Sequence, residues 1–276
     1  MNFTKIANKI LDTLLINKGK RSSQIFYENL LRQSFAGLNI GRGGDLRESG
    51  ELNALKYIFN KFSPVNNREI TIFDVGANLG EYTKAISEIF TKMNYNIYCF
   101  EPSPSIFPKL QKNLINTPPR LLLNNIGLGD EPKRSILYSD QERSGLSSLY
   151  DRKLDHFNVK LDKKEEVMIE TIDLFCKTNN IAKIDFLKID VEGNELNVLK
   201  GAKEMLKNRA IKNIQFEFGG CNIDSKTYFQ DFYYLLTKNN FKISRILQDG
   251  LFEIKKYQEY NEIFLTTNYL AELKED

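Results

Sequence analysis

The chain has 276 residues, of which 41% are hydrophobic and 27% charged, and its formal net charge is +3. A chain of this length buries one large core, so we expect one α/β domain with additions. The small basic excess is spread along the chain. A dedicated nucleic-acid-binding protein concentrates basic residues and aromatics on one surface, so that class is not expected.

Residues 1–21 are amphipathic, with lysines between the apolar positions. They lack the apolar run and cleavage site of a signal peptide, and they are too short and polar to span a bilayer. We expect this helix to pack against the domain, with a peripheral membrane contact as the alternative. Cys99, Cys176 and Cys221 are far apart, which is typical of reduced thiols. The expected location is cytoplasmic.

Residues 1–62 show apolar residues at helical spacing and predict an N-terminal helical extension. Residues 63–276 form the second predicted domain, in which short apolar runs alternate with helices. This alternation predicts right-handed βαβ crossovers and a mostly parallel sheet. The seven predicted strands are 70–75, 97–100, 121–126, 184–189, 211–218, 241–247 and 262–266.

Two regions of the second domain depart from this alternation. The polar segment 248–261 carries no clear helix, so we expect the last two strands to form an antiparallel, hairpin-like pair. Between residues 130 and 170 the pattern weakens. "RSILYSD" predicts an added strand there, and the polar segment that follows predicts an irregular lid or substrate loop.

The first strand runs into a glycine turn, "IFDVGANLGEY", at residues 72–82. Ligands of open α/β sheets bind at the carboxyl ends of the strands, so this corner predicts a cofactor site. It reads G-x-x-x-G, not the G-x-G-x-x-G of nicotinamide sites, and it lacks the lysine of a triphosphate loop. Asp74 at the turn would repel a pyrophosphate and attract an ammonium group. Asn78 and Glu81 predict a capping box for the helix that follows.

The second strand ends at Glu101, 21 residues after Gly80, in "YCFEPSPS". An acidic side chain at this place can accept both hydroxyls of a ribose. A ribose without phosphates together with a cationic amine describes S-adenosylmethionine, and Asp74 and Glu101 together favour it. Taken singly, each acid is equally typical of a capping or solvated residue.

The fourth and fifth strands bring further acids to the same edge. "FLKIDVEGN" places Asp190 and Glu192 after a buried strand, where they are candidates to bind a substrate hydroxyl or accept its proton. Capping the next helix or holding a loop is the alternative. Glu217 lies between Phe216 and Phe218, so strand alternation directs it away from them and toward the site.

Seven motifs follow one another along the chain: FDVGANLGEYT, FEPSPSIFPKLQKNL, IGLGD, GLSSLYDR, ETIDLF, FLKIDVEGNELNVLKGA and IQFEF. Their order and spacing resemble those of the FkbM-type methyltransferase family, over residues 43–265. The resemblance implies a class I, S-adenosylmethionine-dependent methyltransferase with a seven-stranded sheet whose last strand is antiparallel. Such enzymes methylate hydroxyls of sugars, polyketides or other small molecules.

The resemblance also implies roles for particular residues. The residues implied along the methionine part of the cofactor are Asp74, Gly76, Asn78 and Gly80. Glu101, with Pro102 beside it, would hold the ribose. Ile126, Gly127 and Leu128 would flank the adenine. Asp190 and Glu192 would stand at the methyl-transfer site, and residues 144–149 would close over cofactor or substrate.

We therefore predict O-methylation of a sugar, glycan or other small molecule, with Asp190 as base or orienter and Glu192 and Glu217 in support. His156 stands in a charged, irregular stretch and is interpreted as a surface histidine. No metal site is expected, because no His/Asp/Glu cluster has ligand spacing, and a Mg²⁺ on Asp190 and Glu192 has no further support. The alternatives are a methyltransferase acting on RNA or protein and a noncatalytic cofactor-binding module.

Overall fold

The computed structural model describes residues 15, 17–62, 68–91, 93–117, 120–140 and 144–275. The α-helices in these residues are α1 (Gln24–Gly37), α2 (Glu51–Phe62), α3 (Glu81–Ile89), α4 (Phe107–Leu114), α5 (Ile172–Thr178), α6 (Glu195–Lys200), α7 (Lys203–Lys207), α8 (Cys221–Ser225) and α9 (Phe229–Lys238). The strands are β1 (Ile70–Val75), β2 (Tyr95–Phe100), β3 (Leu121–Asn124), β4 (Gly127–Leu128), β5 (Lys133–Ser139), β6 (Lys163–Glu170), β7 (Ile184–Ile189), β8 (Ile211–Phe218), β9 (Phe241–Ile246), β10 (Leu251–Glu253) and β11 (Thr267–Leu273).

Eight strands form the main sheet, in the order β10-β9-β11-β8-β7-β1-β2-β3. Five neighbouring strands of this sheet run parallel, namely β8, β7, β1, β2 and β3. Strand β11 is antiparallel to both of its neighbours, and β10 is antiparallel to β9. Chain order reverses between β1 and β7, because β2 lies on one side of β1 and β7 on the other. A crevice at this point, outside the carboxyl ends of the strands, is where such sheets bind ligands.

Apolar side chains cover both faces of the main sheet, so its central strands are buried at nearly every position, including polar residues such as Lys188 and Gln215. Successive residues of β1 belong to different clusters: Ile72 packs with Leu55 and Ile58 of α2, and Phe73 packs with Phe175 of α5 on the other face. Helix α2 is therefore part of a core layer. The division of the chain at residues 62 and 63 stays a prediction.

The predicted strand at 262–266 is wrong, since the last strand is β11 (Thr267–Leu273). Glu262 instead accepts hydrogen bonds from the backbone N–H groups of Phe229 and Gln230 at the start of α9. The true strand was missed because it contains Glu272, a charged residue. Glu272 is nevertheless buried, and it pairs with Lys61 and Lys242. The expected antiparallel pairing at this edge is found between β9 and β11, and the predicted seven-stranded sheet has an eighth strand, because β10 forms a hairpin with β9.

A second sheet of three strands, in the order β4-β6-β5, occupies the region where the pattern weakened. The added strand at "RSILYSD" is confirmed as part of β5. The expectation that the following segment is wholly irregular is wrong, because β6 begins at Lys163. Its first residues are charged on both faces, and only Val167 and Ile169 pack with Leu137 in a small apolar cluster.

The predicted amphipathic segment at the N-terminus lies largely outside the described residues, which begin at 15 and continue from 17. Helix α1 buries no residue. No helix in the described part of the chain is long and apolar enough to cross a bilayer.

Candidate active site

A cavity of about 1300 Å³ lies at the carboxyl edge of the main sheet, at the point where strand order reverses. Its walls come from the ends of β1, β2, β7 and β8, from β4, and from the segment before α2. The segment between β5 and β6 covers part of it. The sequence-predicted residues that line this cavity are Gly76, Asn78, Glu101, Pro102, Gly127, Leu128, Asp190, Glu192 and Glu217.

The glycine turn after β1 requires its glycines. Gly76 has φ +85°, and a Cβ there would lie 1.8 Å from the carbonyl oxygen of Asp190. Gly80 has φ +86°, and its Cβ would lie 2.9 Å from Leu110. Asn78 also adopts a positive φ, of +48°. The predicted capping box is wrong, because α3 begins at Glu81 with Gly80 as its N-cap and no side-chain cap.

Glu101 links the turn to the end of β2. Its Oε2 accepts a hydrogen bond from the backbone N–H of Asn78 at 3.0 Å, and its Oε1 accepts one from Ser103 at 2.9 Å. Burial raises the pKa of Glu101 to about 7, against the effect of these two bonds. The Oδ1 of Asn78 is buried with no hydrogen-bond partner in the described chain. Polar groups of this kind are those that a polar ligand satisfies.

Gly127 lies in the wall of the cavity next to Pro102. A Cβ at Gly127 would stand 2.7 Å from Ile169 and 3.4 Å from Pro102, so the absence of a side chain keeps this wall open. Leu128 continues the wall. Ile126, predicted to belong to the same set, packs against the apolar core and is not among the lining residues.

Asp74 is fully buried and lies behind the wall of the cavity, outside the lining residues. Its Oδ2 accepts a hydrogen bond from Thr83 Oγ1 at 2.6 Å, and its Oδ1 has no partner in the described chain. Burial raises the pKa of Asp74, although Lys188 lowers it. The structure thus gives Asp74 no direct face on the cavity, and its predicted contact with a cofactor stays a prediction.

Three carboxylates meet at the other end of the cavity. One oxygen atom each of Asp190, Glu192 and Glu217 lies within 4.8 Å of the others. Sequence spacing, from which no metal site was expected, could not show this cluster, because Glu217 comes from β8 and the other two residues follow β7. Lys188 Nζ donates to Asp190 Oδ2 at 3.0 Å, and Arg152 pairs with Glu192.

Burial dominates the electrostatics of this end. Burial and then the charge of Asp190 raise the pKa of Glu192 to about 8, against the lowering effect of Arg152. Burial also raises the pKa of Glu217 well above its ordinary value, with Asp190 as the next cause. The carboxylate of Asp190 raises the pKa of Lys188 although burial lowers it. The Lys188 ammonium group therefore holds Asp190, while burial shifts the pKa values of both glutamates upward.

Sequence reasoning missed a buried polar chain beneath these carboxylates. The hydroxyl of Tyr82 donates to Gln215 Oε1 at 2.7 Å, and Gln215 Nε2 donates to Glu51 Oε1 at 2.7 Å. Glu51 also accepts a hydrogen bond from Ser49 Oγ at 2.8 Å. The signal for Gln215 was its place between apolar residues in "IQFEF". Glu51 gives no local signal, since its partner lies 164 residues away.

The segment between β5 and β6 is fixed against the cavity at several points. Ser148 pairs through its backbone with Tyr138, and its Oγ donates to the carbonyl of Glu192 at 2.6 Å. Arg152, also missed from sequence, is nearly buried between Glu192 and Asp224. Gly145, Leu146, Ser147 and Leu149 line the cavity, as does exposed His156 at its rim. Closure by residues 144–149 stays a prediction.

The strand order, the antiparallel last strand and a cavity beside the first glycine turn define a class I methyltransferase fold. The chain belongs to the family described as the methyltransferase FkbM domain, which matches residues 74–243. The family resemblance read from the motifs is thereby confirmed. Membership implies a methyl donor of the S-adenosylmethionine type.

Three curated relatives match part of the chain. A protein named methyltransferase 1 from Beauveria bassiana is 28% identical over 47% of this chain and 57% of its own length. The hexuronic acid methyltransferase AglP from Haloferax volcanii is 28% identical over 61% and 62%. The 2-O-methyltransferase NoeI from Sinorhizobium fredii is 25% identical over 62% and 74%. The chain thus spans about three fifths of the length of the first two.

Among solved structures, a methyltransferase FkbM from Methylobacillus flagellatus is similar with a TM-score of 0.44 and 15% identity. The match covers 91% of this chain and 71% of that protein. The family assignment rests on the domain match and not on this likeness.

Proposed function

We propose that the chain transfers a methyl group from S-adenosylmethionine to a hydroxyl of a sugar, glycan or other small molecule. One observation carries this proposal. The same cavity is lined by Glu101, an acid placed to bind a ribose, and by the carboxylates Asp190, Glu192 and Glu217. Two relatives support the acceptor class, because one is named for a hexuronic acid and the other for 2-O-methylation.

The residues at the turn fit a donor with a ribose and no phosphates. Glu101 is held in place by two backbone N–H groups and would accept the ribose hydroxyls. Pro102, Gly127 and Leu128, which form one wall of the cavity, would contact the adenine. Asn78 would offer its unsatisfied Oδ1 to the polar end of the donor. Bound there, S-adenosylmethionine supplies an electrophilic methyl group on a sulfonium.

The carboxylates at the other end would act on the acceptor. Methyl transfer is an in-line displacement, so placing the acceptor oxygen contributes much of the rate. Asp190, held by Lys188 at 3.0 Å, would accept the hydroxyl proton or a hydrogen bond from it. Glu192 and Glu217 would bind neighbouring hydroxyls, since each can donate or accept according to its protonation.

The acceptor pocket would be completed by two segments whose sequence was not informative alone. Residues 43–52 before and at the start of α2 line one side, and residues 145–157 line the other. We assign residues 1–62 to an N-terminal extension whose last helix, α2, packs on the sheet, and residues 63–276 to the methyltransferase domain. The free, buried cysteines support the cytoplasm as the compartment.

A labelled-methyl assay with fractionated cell extract tests the proposal. We expect label in glycan or small-metabolite fractions, identified by mass spectrometry of the product. Asp190→Asn should lower turnover by about 100-fold or more with unchanged affinity for S-adenosylhomocysteine. Asp249→Asn, at an exposed turn, serves as the matched control.

Three results, two from that assay and one from the assay together with a binding measurement, contradict the proposal. Label in RNA, with a steep dependence on salt, would indicate a nucleic-acid methyltransferase. Label in protein would indicate a protein methyltransferase. Binding of S-adenosylhomocysteine without transfer to any fraction would indicate a noncatalytic module. Full turnover by Asp190→Asn would remove Asp190 from the mechanism while leaving the reaction class in place.

A further inference from the structure

We propose that Asp190, Glu192 and Glu217 form a binding site for a hard divalent cation of the Mg²⁺, Mn²⁺ or Ca²⁺ class. The site lies between the carboxyl ends of β7 and β8, inside the cavity described above. Binding of the cation does not depend on methyl transfer. Only its use, which is to hold acceptor oxygens, rests on the function proposed above.

The spacing of the three carboxylates suits one ion. Their ligand oxygens all lie within 4.8 Å of one another. Two oxygens on opposite sides of a Ca²⁺ ion are about 4.6–5.2 Å apart, and around Mg²⁺ they are about 4.0–4.2 Å apart. The upper bound of 4.8 Å is therefore compatible with Ca²⁺. For Mg²⁺ or Mn²⁺ the side chains would need to approach by at most about 1 Å.

Glu217 provides a second, independent observation. The residue is 8% exposed and lines the cavity, and no hydrogen bond or ion pair reaches its carboxyl group from the described residues. A buried carboxyl group without a partner is costly, and it is usually satisfied by a proton, a cation or a ligand. The group stands within reach of Asp190 and Glu192, which is where a shared cation would bind.

Asp190 and Glu192 are each oriented by one partner and keep one carboxylate oxygen without a hydrogen bond from the described residues. Lys188 contacts Oδ2 of Asp190, and Arg152 Nη1 contacts Oε2 of Glu192. The second oxygen of each accepts no hydrogen bond from the described residues. Each side chain is thus held in place through one oxygen and keeps the other available for an ion, which is how second contacts position the ligands of metal sites.

The surrounding charge favours a cation. The carboxyl groups that act electrostatically on Glu217 are Asp190, Glu192, Glu195 and Glu51. Lys188 and Arg152 are the nearly buried cations at this end in the described chain, and both are already paired. The cluster consists of carboxylates, with no histidine or cysteine among its three members. Oxygen ligands alone favour Mg²⁺, Mn²⁺ or Ca²⁺ over zinc.

Such an ion would select a particular kind of acceptor. A hard cation with free coordination positions binds two neighbouring oxygens, as in a vicinal diol or a hydroxyl beside a carboxylate. It would also favour loss of the hydroxyl proton toward Asp190 or bulk water. Acceptors with one isolated hydroxyl would gain little from it.

The test measures ion binding by the full chain after chelator treatment, with no donor or acceptor present. Isothermal titration uses Ca²⁺ and Mg²⁺, and electron paramagnetic resonance uses Mn²⁺. We expect one ion per chain and at least tenfold weaker binding in Glu217→Gln. Asp190→Asn is a second test variant. Glu204→Gln, an exposed and remote control, should bind as wild type does, and circular dichroism verifies that each variant folds.

The inference is overturned by an absence of saturable binding of all three ions at millimolar concentration, or by equal affinity in Glu217→Gln. It is also overturned if Glu217→Gln weakens S-adenosylhomocysteine binding in chelator buffer while no ion binds, because the cluster would then serve the donor. Methyl transfer that persists in chelator buffer leaves the proposed function intact. Ion binding without any methyl transfer contradicts only the proposed function.

Discussion

Glu101 accepts a hydrogen bond at 3.0 Å from the backbone N–H of Asn78, which joins the end of β2 to the glycine turn after β1. An amide at position 101 has one acceptor oxygen, so Glu101→Gln turns an NH₂ group toward Asn78, Ser103 or the ligand. We expect at least tenfold weaker binding of S-adenosylhomocysteine, about 1.4 kcal/mol or more. Calorimetry measures this, with exposed Glu253→Gln as the control. Unchanged affinity would show that the donor does not contact Glu101.

Gly76→Ala tests the geometry of the turn itself. The added methyl group would lie 1.8 Å from the carbonyl oxygen of Asp190, at a φ of +85°. The backbone cannot move freely, because Gly76 N–H donates to Phe100 at 3.0 Å. We expect the free energy of unfolding to fall by at least about 2 kcal/mol in urea titrations. Gly37→Ala, which meets no atom within 4 Å, should lose nothing, and equal stability of the two variants would contradict the turn geometry.

Leu55→Ala tests whether α2 belongs to the core of the protein. Leu55 is fully buried and packs with Ile72 and Phe186 of the sheet. Its truncation should lower the free energy of unfolding by about 2–5 kcal/mol. Ile25→Ala in α1, where the side chain is 77% exposed, should change it by less than about 0.5 kcal/mol. A silent Leu55→Ala would mean that α2 is a dispensable extension.

Stability should fall as pH rises from about 5 to 8. Burial raises the pKa of Glu51, Glu101 and Glu195 to about 7, and that of Glu192 to about 8, from 4.5. Between about pH 4.5 and these raised pKa values, the unfolded chain has lost these protons and the folded chain still holds them, so the fall begins near pH 5 and ends by about pH 8. Folding therefore takes up protons, and its free energy becomes less favourable as protons become scarce. The pKa values of Asp185 and Glu272 are lowered instead of raised, so these two groups change the stability only below about pH 4.5.

Glu51→Gln isolates one of these groups. The amide keeps hydrogen-bonding capacity toward Gln215 and Ser49 but does not titrate. We expect the loss of unfolding free energy between pH 6 and 8 to shrink by about 1 kcal/mol in this variant. Urea unfolding at the two pH values measures it. A wild-type stability that rises with pH, or a variant with an unchanged slope, would contradict the assigned protonation of Glu51.

The sheet was predictable where apolar residues predominate in a strand. Strands such as β7 and β8 are buried on both faces, and their Ile, Leu and Phe residues mark them although polar residues such as Lys188 and Gln215 interrupt the run. The prediction failed where buried polar residues pair with distant partners. Glu272 in β11 is satisfied by Tyr57 and Lys61 of α2, and no local pattern shows that pairing. Strand β6 was missed because its charged residues are accommodated at the surface.

The candidate site was predictable as far as it lies at strand ends. Glu101, Asp190 and Glu217 were found because parallel strands bring their carboxyl ends to one edge. Glu51 and Arg152 were not found, because they reach the cavity from a helix and from an irregular segment. The displacement of Asp74 behind the wall also has a physical cause, since Thr83 of α3 binds its carboxylate.

The central claim is that the cavity beside Glu101 holds an adenosyl donor without phosphates. Calorimetric titration of the full chain with S-adenosylhomocysteine and, separately, with NAD tests it most directly. We predict saturable binding of S-adenosylhomocysteine at one site per chain and no measurable heat with NAD. Binding of NAD without binding of S-adenosylhomocysteine would contradict the account.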